Sequence, residues 1–182
     1  AWEQGPIHWG WFLMTAVGIL CFHAAGNCIN DYFDTRHKVD TPESPTALYR
    51  PHPILTGMLT LNQLLAEALA FYMVACVIGL IISFERSLAI FWIGMTGFVL
   101  SVFYTGGPIT YKYRALGEVA VFTIWGPLMI SGAYIVQRQI WTVETLWISI
   151  PFGIWVALVL LANNMRDISY DAHAKITTIG ML

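Results

Sequence analysis

Charge is what this 182-residue chain has least of. Asp, Glu, Lys and Arg make up only 11% of it, while 57% of its residues are hydrophobic; ordinary soluble domains carry about 25% charged residues. A mean hydropathy of +0.63 agrees, and the deficit points to an integral membrane protein. A run of basic residues is missing too, and the net charge is −2, which argues against nucleic acid as a partner. Cysteine is scarce. Cys21, Cys28 and Cys76 lie in or beside apolar runs without metal-ligand spacing, so neither a disulfide framework nor a thiolate site is implied. No signal-peptide pattern is visible. The chain opens on Ala1 almost directly into an apolar run and stops at Leu182 soon after an acidic stretch. It therefore reads as an internal piece of a longer membrane protein.

What is present is long apolar runs. Five can be drawn near the ~20 residues a bilayer core requires, at roughly 9–29, 62–83, 88–104, 117–136 and 145–163. The expected fold is all-α, a polytopic transmembrane helical bundle, with residues 1–182 forming a single, partial transmembrane domain. Gly18, Gly94, Gly97, Gly126-Pro127 and Pro151 fall inside the runs, where lipid tolerates them and where they suggest close helix contact or kinks.

Aspartate is confined to two places. Asp31, Asp34 and Asp40 follow the first run, Asp167 and Asp171 follow the fifth, and the chain has no others. If the runs continue as helices, His23, Asn27, Asp31 and Asp34 share one stripe at i, i+4, i+8 and i+11. Asn163, Asp167 and Asp171 do the same at i, i+4 and i+8. Two carboxylates about 4 Å apart repel by roughly 1 kcal/mol in water and about 4 kcal/mol at an effective dielectric of 20, so such clusters call for cations among them. Oxygen donors without thiolates favour Mg²⁺ or Ca²⁺, and Mg²⁺ is usually held by a few carboxylates plus substrate phosphates. The spacing thus points to a metal–diphosphate site built from two helix ends. Asn27-x-x-x-Asp31 and Asn163-x-x-x-Asp167 also suggest an internal pseudo-repeat.

Loop charge orients the bundle. Arg36, Lys38, Arg50, Lys112, Arg114, Arg166 and Lys175 fall on the acidic side and only Arg86 and Arg138 on the other, which predicts that the acidic stretches face the cytoplasm. Trp2, Trp9, Trp11, Trp92, Trp141 and Trp147 gather toward the far interface, as an aromatic belt would. Lys112, Arg114, Arg166 and Lys175 beside the acids suit a diphosphate, whose remaining charge they would neutralise. For Arg36 a topological role is enough.

Several motifs resemble those of the UbiA superfamily of membrane-embedded aromatic prenyltransferases. Asn30-Asp31-Tyr32-Phe33-Asp34 running on to Asp40 has the N-D-x-x-D-x-x-x-x-x-D layout of its first motif. Asn164-Met165-Arg166-Asp167-Ile168-Ser169-Tyr170-Asp171 is similar to its second, N-x-R-D-x-x-x-D. Tyr104-Thr105-Gly106-Gly107-Pro108, Leu116-Gly117-Glu118 and Asn163-Asn164-x-Arg166-Asp167-Ile168 look most like the 1,4-dihydroxy-2-naphthoate polyprenyltransferases of menaquinone synthesis. The family commonly continues its second motif as D-R-x-A-G-K-R-T, whereas this chain has Asp171-Ala172-His173-Ala174-Lys175-Ile176-Thr177, which puts Lys175 one place early.

The resemblance implies a fold of about nine transmembrane helices, of which the five runs would be the second to sixth, and a fragment inactive alone. It implies Mg²⁺-dependent transfer of a polyprenyl group from its diphosphate to an aromatic acceptor, with 1,4-dihydroxy-2-naphthoate giving demethylmenaquinone. It also implies a protein of the cell inner membrane. Asp31, Asp34, Asp167 and Asp171 would be catalytic. Asn30, Asp31, Asp34 and Asp40 would hold one Mg²⁺, and Asn164, Asp167 and Asp171 a second. Arg50, Tyr104, Lys112, Arg114, Arg166 and Lys175 would contact diphosphate, and His23 and Asn27 the acceptor. A sister enzyme acting on 4-hydroxybenzoate or a similar acceptor is the nearest alternative. A divalent-cation transporter is the rival from another class; it predicts flux without a prenyl donor and leaves Lys112, Arg114 and Arg166 without a task.

Overall fold

A computed structural model describes residues 5–173 and 176–182. Trp2 and Lys175 lie outside them. Five helices among the described residues are long and apolar enough to cross a membrane, each starting within two residues of the run that predicted it, the first continuing past residue 29 to Arg36. They are α1 (Trp9–Arg36), α3 (Leu61–Glu85), α4 (Leu88–Thr105), the paired α5 (Gly117–Thr123) and α6 (Met129–Arg138), and α7 (Val143–Arg166). Two short helices, α2 (Pro45–Tyr49) and α8 (Ile168–His173), follow α1 and α7 at the acidic end. The described residues contain no strand, only an isolated bridge between Arg114 and Thr177. This is an all-α polytopic membrane bundle.

Local chemistry accounts for the starts of α3 and α4 and for a break in the fourth span. Thr60 and Gln63 form a capping box at the start of α3: Gln63 N–H donates to Thr60 Oγ1 at 3.3 Å, and Thr60 N–H donates to Gln63 Oε1 at 2.9 Å. Two otherwise orphaned donors are thereby satisfied. Ser87 caps α4 by accepting from Ala89 N–H. The fourth span is interrupted by a π-helical turn at Ile124–Leu128 that contains Pro127; proline has no N–H to give the helix ladder, and the wider turn absorbs the gap.

Packing follows membrane rules rather than those of a soluble core. α1 lies chiefly on α3, where Ala25 and Ala68 are fully buried beside Ile29 and Tyr72. Tyr72 and Ser101 share a 2.8 Å hydrogen bond from α3 to α4. Without a hydrophobic drive between helices in lipid, small residues and inter-helical hydrogen bonds supply the association. The outward faces keep their apolar side chains exposed, for example Leu13, Val17 and Leu20 on α1 and Met73 and Val77 on α3. α5 and the π turn cross α7 at closest approach: a Cβ on Gly126 would meet Gly153 Cα at 2.9 Å, and one on Gly153 would meet the Phe122 carbonyl at 2.8 Å. Of the small residues picked out in the sequence, Gly126 is tightly enclosed, while Gly94 has open space around it.

The end away from the aspartates is tied by its two arginines. Arg86 donates from Nε to the Val136 carbonyl at 2.7 Å and from Nη2 to the Gln137 carbonyl at 3.1 Å, and its guanidinium lies over Trp11. A cation at a helix C-terminus also meets the favourable end of the helix dipole. Arg138 donates to the carbonyls of Gly5 and Pro6. Trp9, Trp92, Trp141 and Trp147 are all exposed here, at the starts of α1, α4 and α7.

Candidate active site

The first acidic stretch is helical. α1 continues without a break to Arg36, so His23, Asn27, Asp31 and Asp34 do share a stripe, but their surroundings change along it. His23 and Asn27 are exposed and bonded to each other at 3.3 Å, with Trp125 edge-on to the His23 ring. Asp31 and Asp34 are buried. Each already has a protein cation. Arg50 Nη2 donates to both oxygens of Asp31 at 2.7 and 2.9 Å. Lys112 Nζ and Tyr113 OH both donate to Asp34.

Asp40 returns to the helix it has left. Lys38 adopts a left-handed conformation at φ 60°, and the N–H groups of Val39 and Asp40 both donate back to the Asp34 carbonyl. Burial of Asp40 follows, at 8% exposure, against His52 at 1%. His52 Nδ1 accepts from the Ile54 and Leu55 N–H groups, which leaves Nε2 to donate to Asp40 Oδ2 at 3.2 Å. Two backbone donors on one ring nitrogen assign the tautomer. Ligand atoms of Asp31, Asp40 and His52 lie within 4.8 Å of one another.

The second stretch bends but keeps its stripe. α7 ends at Arg166 with Asp167 as cap, and α8 begins at once. Asp167 N–H still donates to the Asn163 carbonyl, and Asp171 N–H to the Asp167 carbonyl. Arg166 grips Asp167 with a two-pronged pair, Nε to Oδ1 at 2.6 Å and Nη2 to Oδ2 at 2.7 Å, and stacks over Tyr49. Asn164 Nδ2 donates to Glu118 Oε1 at 2.8 Å. A carboxylate only accepts, so this bond turns the Asn164 amide oxygen away from Glu118.

The two stretches meet. Tyr170 OH donates to the Val39 carbonyl at 2.8 Å and accepts from Thr41 at 2.9 Å, joining α8 to the turn after α1. Between them lies a cavity of about 190 Å³ lined by Asn30, Asp40, Lys112, Arg166, Asp167 and Asp171, with Tyr104, Asn163 and Asn164 also on its wall. Asp31, Asp34, Arg50, Arg114, His23 and Asn27 are not on that wall. Arg50 is held by Asp31, and Arg114 is exposed, its guanidinium donating to the Pro108 carbonyl.

Charge inside this end is under tension. Burial pushes the Asp40 carboxyl up, Asp34 adds to the effect, and Lys112 and His52 oppose it. Asp171 is lifted to about 6, chiefly by burial, with Lys112 opposing the rise and Asp167 and Asp34 adding to it. Burial alone would lower the Lys112 ammonium, but Asp34, Tyr104 and Asp40 outweigh it and hold it above its ordinary value. Tyr113 is raised by burial and then by Asp34. The oxygen donors fit a hard divalent cation. Asn30 Oδ1 on the cavity wall is buried with no donor among the described residues, and a bound cation would satisfy it and relieve the crowded carboxylates.

A stability test follows from Asp171. Its folded value, about 6, lies above the ordinary carboxylate value near 3.9. A raised value means stability that is full below about pH 4 and lost as pH rises through about 6. Asp171→Asn should therefore stabilise the protein by about 1 kcal/mol at pH 7.5 in EDTA, after discounting for the half-exposed setting, and the gain should vanish at pH 4. Mg²⁺ should reverse the order of the two proteins at pH 7.5, because a cation favours the ionised carboxylate. Thermal unfolding in detergent with and without Mg²⁺ reads both signs.

His52, Tyr113, Glu118, Tyr170 and Thr178 belong to this end of the molecule although no chemical role was drawn for them from the sequence. Glu118 had a signal, an acid just inside an apolar run on the acidic side. Thr178 had none.

The fold and this chamber define a polytopic membrane protein that gathers carboxylates, amides and cations at one end of its helices. The chain belongs to the UbiA prenyltransferase family, which it matches over residues 1–182. It is 29% identical over 171 residues to the 1,4-dihydroxy-2-naphthoate octaprenyltransferase of Bacillus subtilis (strain 168), covering 94% of this chain and 54% of that protein. It is 30% identical over 176 residues to UbiA prenyltransferase domain-containing protein 1 of Xenopus tropicalis, covering 94% and 49%, and likewise 30% identical to the Drosophila melanogaster homologue, covering 94% and 47%. The chain thus spans about half the length of the curated relatives it matches.

Proposed function

We propose that the protein of which this chain is part transfers a polyprenyl group from polyprenyl diphosphate to an aromatic acceptor, 1,4-dihydroxy-2-naphthoate, with Mg²⁺ as cofactor. The observation that carries the reading is the meeting of the two acidic stretches with Lys112 and Arg166 around one cavity. At about 190 Å³ it is below the 300–1,000 Å³ usual for whole ligands, so it suits a diphosphate head whose tail lies along apolar helix faces. Each buried CH₂ of such a tail contributes about 0.8 kcal/mol.

The hard step is ionisation of the allylic C–O bond, whose electron pair leaves with the diphosphate. Asn30, Asp40, Asn164, Asp167 and Asp171 would hold Mg²⁺, which when bound supplies stabilisation of the leaving group's charge. Lys112 and Arg166 add fixed positive charge on the same wall, and Tyr104 a hydroxyl. Asp31 and Asp34 act from behind. Asp34 holds Lys112 and Tyr113 in place, and Asp31 immobilises Arg50. His52 fixes the Asp40 carboxylate, and Glu118 fixes the Asn164 amide, so the donors need little reorganisation. An electron-rich ring carbon then attacks the allylic cation, and the naphthoate ring carboxylate leaves as carbon dioxide. Asn27 and His23, about one and two turns deeper than Asp31 on its stripe of α1, would meet the ring. Seven loop cations support a site opening to the cytoplasm of a cell's inner membrane.

The test uses the full-length protein in detergent or vesicles with Mg²⁺, a polyprenyl diphosphate and a panel of phenolic acceptors. Prenylated naphthol is expected, lost with EDTA and lost by more than a hundredfold in Asp167→Ala. No product with any acceptor would sink the reading, and product from 4-hydroxybenzoate alone would reassign the acceptor. Cation flux without a prenyl donor would favour a transporter, but Lys112 and Arg166 on the cavity wall oppose a cation path.

A further inference from the structure

The tail of the second motif also reaches the cavity. Residues Ile176, Thr177 and Thr178 run extended against the loop after α4: Ala115 N–H donates to the Thr177 carbonyl at 2.8 Å, and Thr177 N–H donates to the Tyr113 carbonyl at 3.3 Å. Extended chain alternates its side chains. Thr177 faces outward and is exposed, whereas Ile176 at 4% and Thr178 at 2% exposure turn inward and line the acidic cavity. Thr178 itself is extended, at φ −115° and ψ 164°.

Among the described residues its hydroxyl is unpaired. Thr178 Oγ1 is buried with no hydrogen-bond partner among them, an arrangement that costs free energy unless something else supplies the bond. Thr15, Thr56, Thr96 and Thr123 each donate to a carbonyl four residues back, an outlet that coiled backbone offers and the extended Thr178 lacks. Asn30 Oδ1, the other orphan on this wall, can only accept. A threonine hydroxyl can donate, and it shares the wall with Lys112 and Arg166. Donors and cations around one small chamber are complementary to a polyanion.

We infer that Thr178 Oγ1 donates a hydrogen bond to a phosphoryl oxygen of the bound diphosphate, and that the 176–178 strand is a third wall of the anion site. This rests on the diphosphate reading above. The strand is positioned by Tyr113 and Ala115, which flank the Lys112–Asp34 pair, so the same loop sets both the ammonium and the hydroxyl.

Calorimetry with inorganic pyrophosphate and Mg²⁺ on the full-length protein in detergent tests the assignment, read beside thermal unfolding without ligand. Thr178→Val keeps the shape and removes the donor. It should weaken pyrophosphate binding by about tenfold or more, the usual effect of losing a hydrogen bond to a charged group, while the ligand-free midpoint stays level or rises because no hydroxyl is left unpaired. Thr178→Ser should bind within about threefold of the parent. Thr178→Ala, which makes no packing demand, is read alongside, so a folding defect in the valine variant does not remove the test. Unchanged pyrophosphate affinity in both hydroxyl-free variants would overturn the role of Thr178 and leave the diphosphate reading standing. A lowered ligand-free midpoint with unchanged affinity would likewise assign the hydroxyl to the fold. If the parent protein itself bound no pyrophosphate, both readings would fall together.

Discussion

Asp34→Ala is expected to abolish prenyl transfer by the full-length protein and to cost about 3–5 kcal/mol of stability, the usual range when one partner of a buried ion pair is removed. The two losses have different origins. Asp34 is 1% exposed and accepts from both Lys112 Nζ and Tyr113 OH; without it an ammonium and a phenol are stranded. Asp34→Ala combined with Lys112→Met replaces the pair with apolar groups, so most of the stability should return. Activity should not, because the cavity has then lost its lysine. Unfolding in detergent and a single-turnover transfer assay, run on both variants, separate the effects. Near-normal turnover in Asp34→Ala would refute the placement of this pair behind the site.

Gly153→Leu should be as damaging although it lies well inside the bundle. A Cβ there meets the Phe122 carbonyl at 2.8 Å and the Phe122 ring at 2.7 Å, and Gly126 faces it from the π turn. Backbone cannot yield as a flexible side chain can, so α5 and α7 must move apart. Overpacking typically costs about 1–3 kcal/mol, and in lipid no hydrophobic gain offsets lost van der Waals contact. The same two helices carry Glu118 and Asn164, whose 2.8 Å bond orients one motif residue. Gly153→Leu should therefore lower the thermal midpoint and weaken Mg²⁺-dependent pyrophosphate binding together. A variant with parental stability and binding would show that this crossing is not needed to hold the site.

The partners of the acids are not legible from their spacing. The helical spacing aims Asp31 and Asp34 along one stripe and Asp167 and Asp171 along another. In the folded chain Asp31 and Asp34 are paired with Arg50 and Lys112, and the cavity wall is made by Asp40, Asp167 and Asp171 with Asn30. Asp40 lies beyond the helical stripe, and periodicity could not place it. A left-handed residue at Lys38, a position where glycine would be the usual cue, folds it back beside Asp34. Likewise His52, between two prolines in a loop, gives no periodic signal, yet it is one of the most buried side chains of the molecule.

By itself the sequence determined the number and course of the membrane spans, their all-α nature, and the placement of both acidic stretches at one end. Those follow from hydropathy and from alternation of direction, which are summed along the chain and need no knowledge of distant contacts. Only the tertiary structure decided which cation answers each aspartate, how closely α5 approaches α7, and that Thr178 reaches the chamber. These depend on groups as far apart as Asp34 and Lys112, or Val39 and Tyr170. Their geometry is set by how helices pack and loops fold back, which no local pattern records.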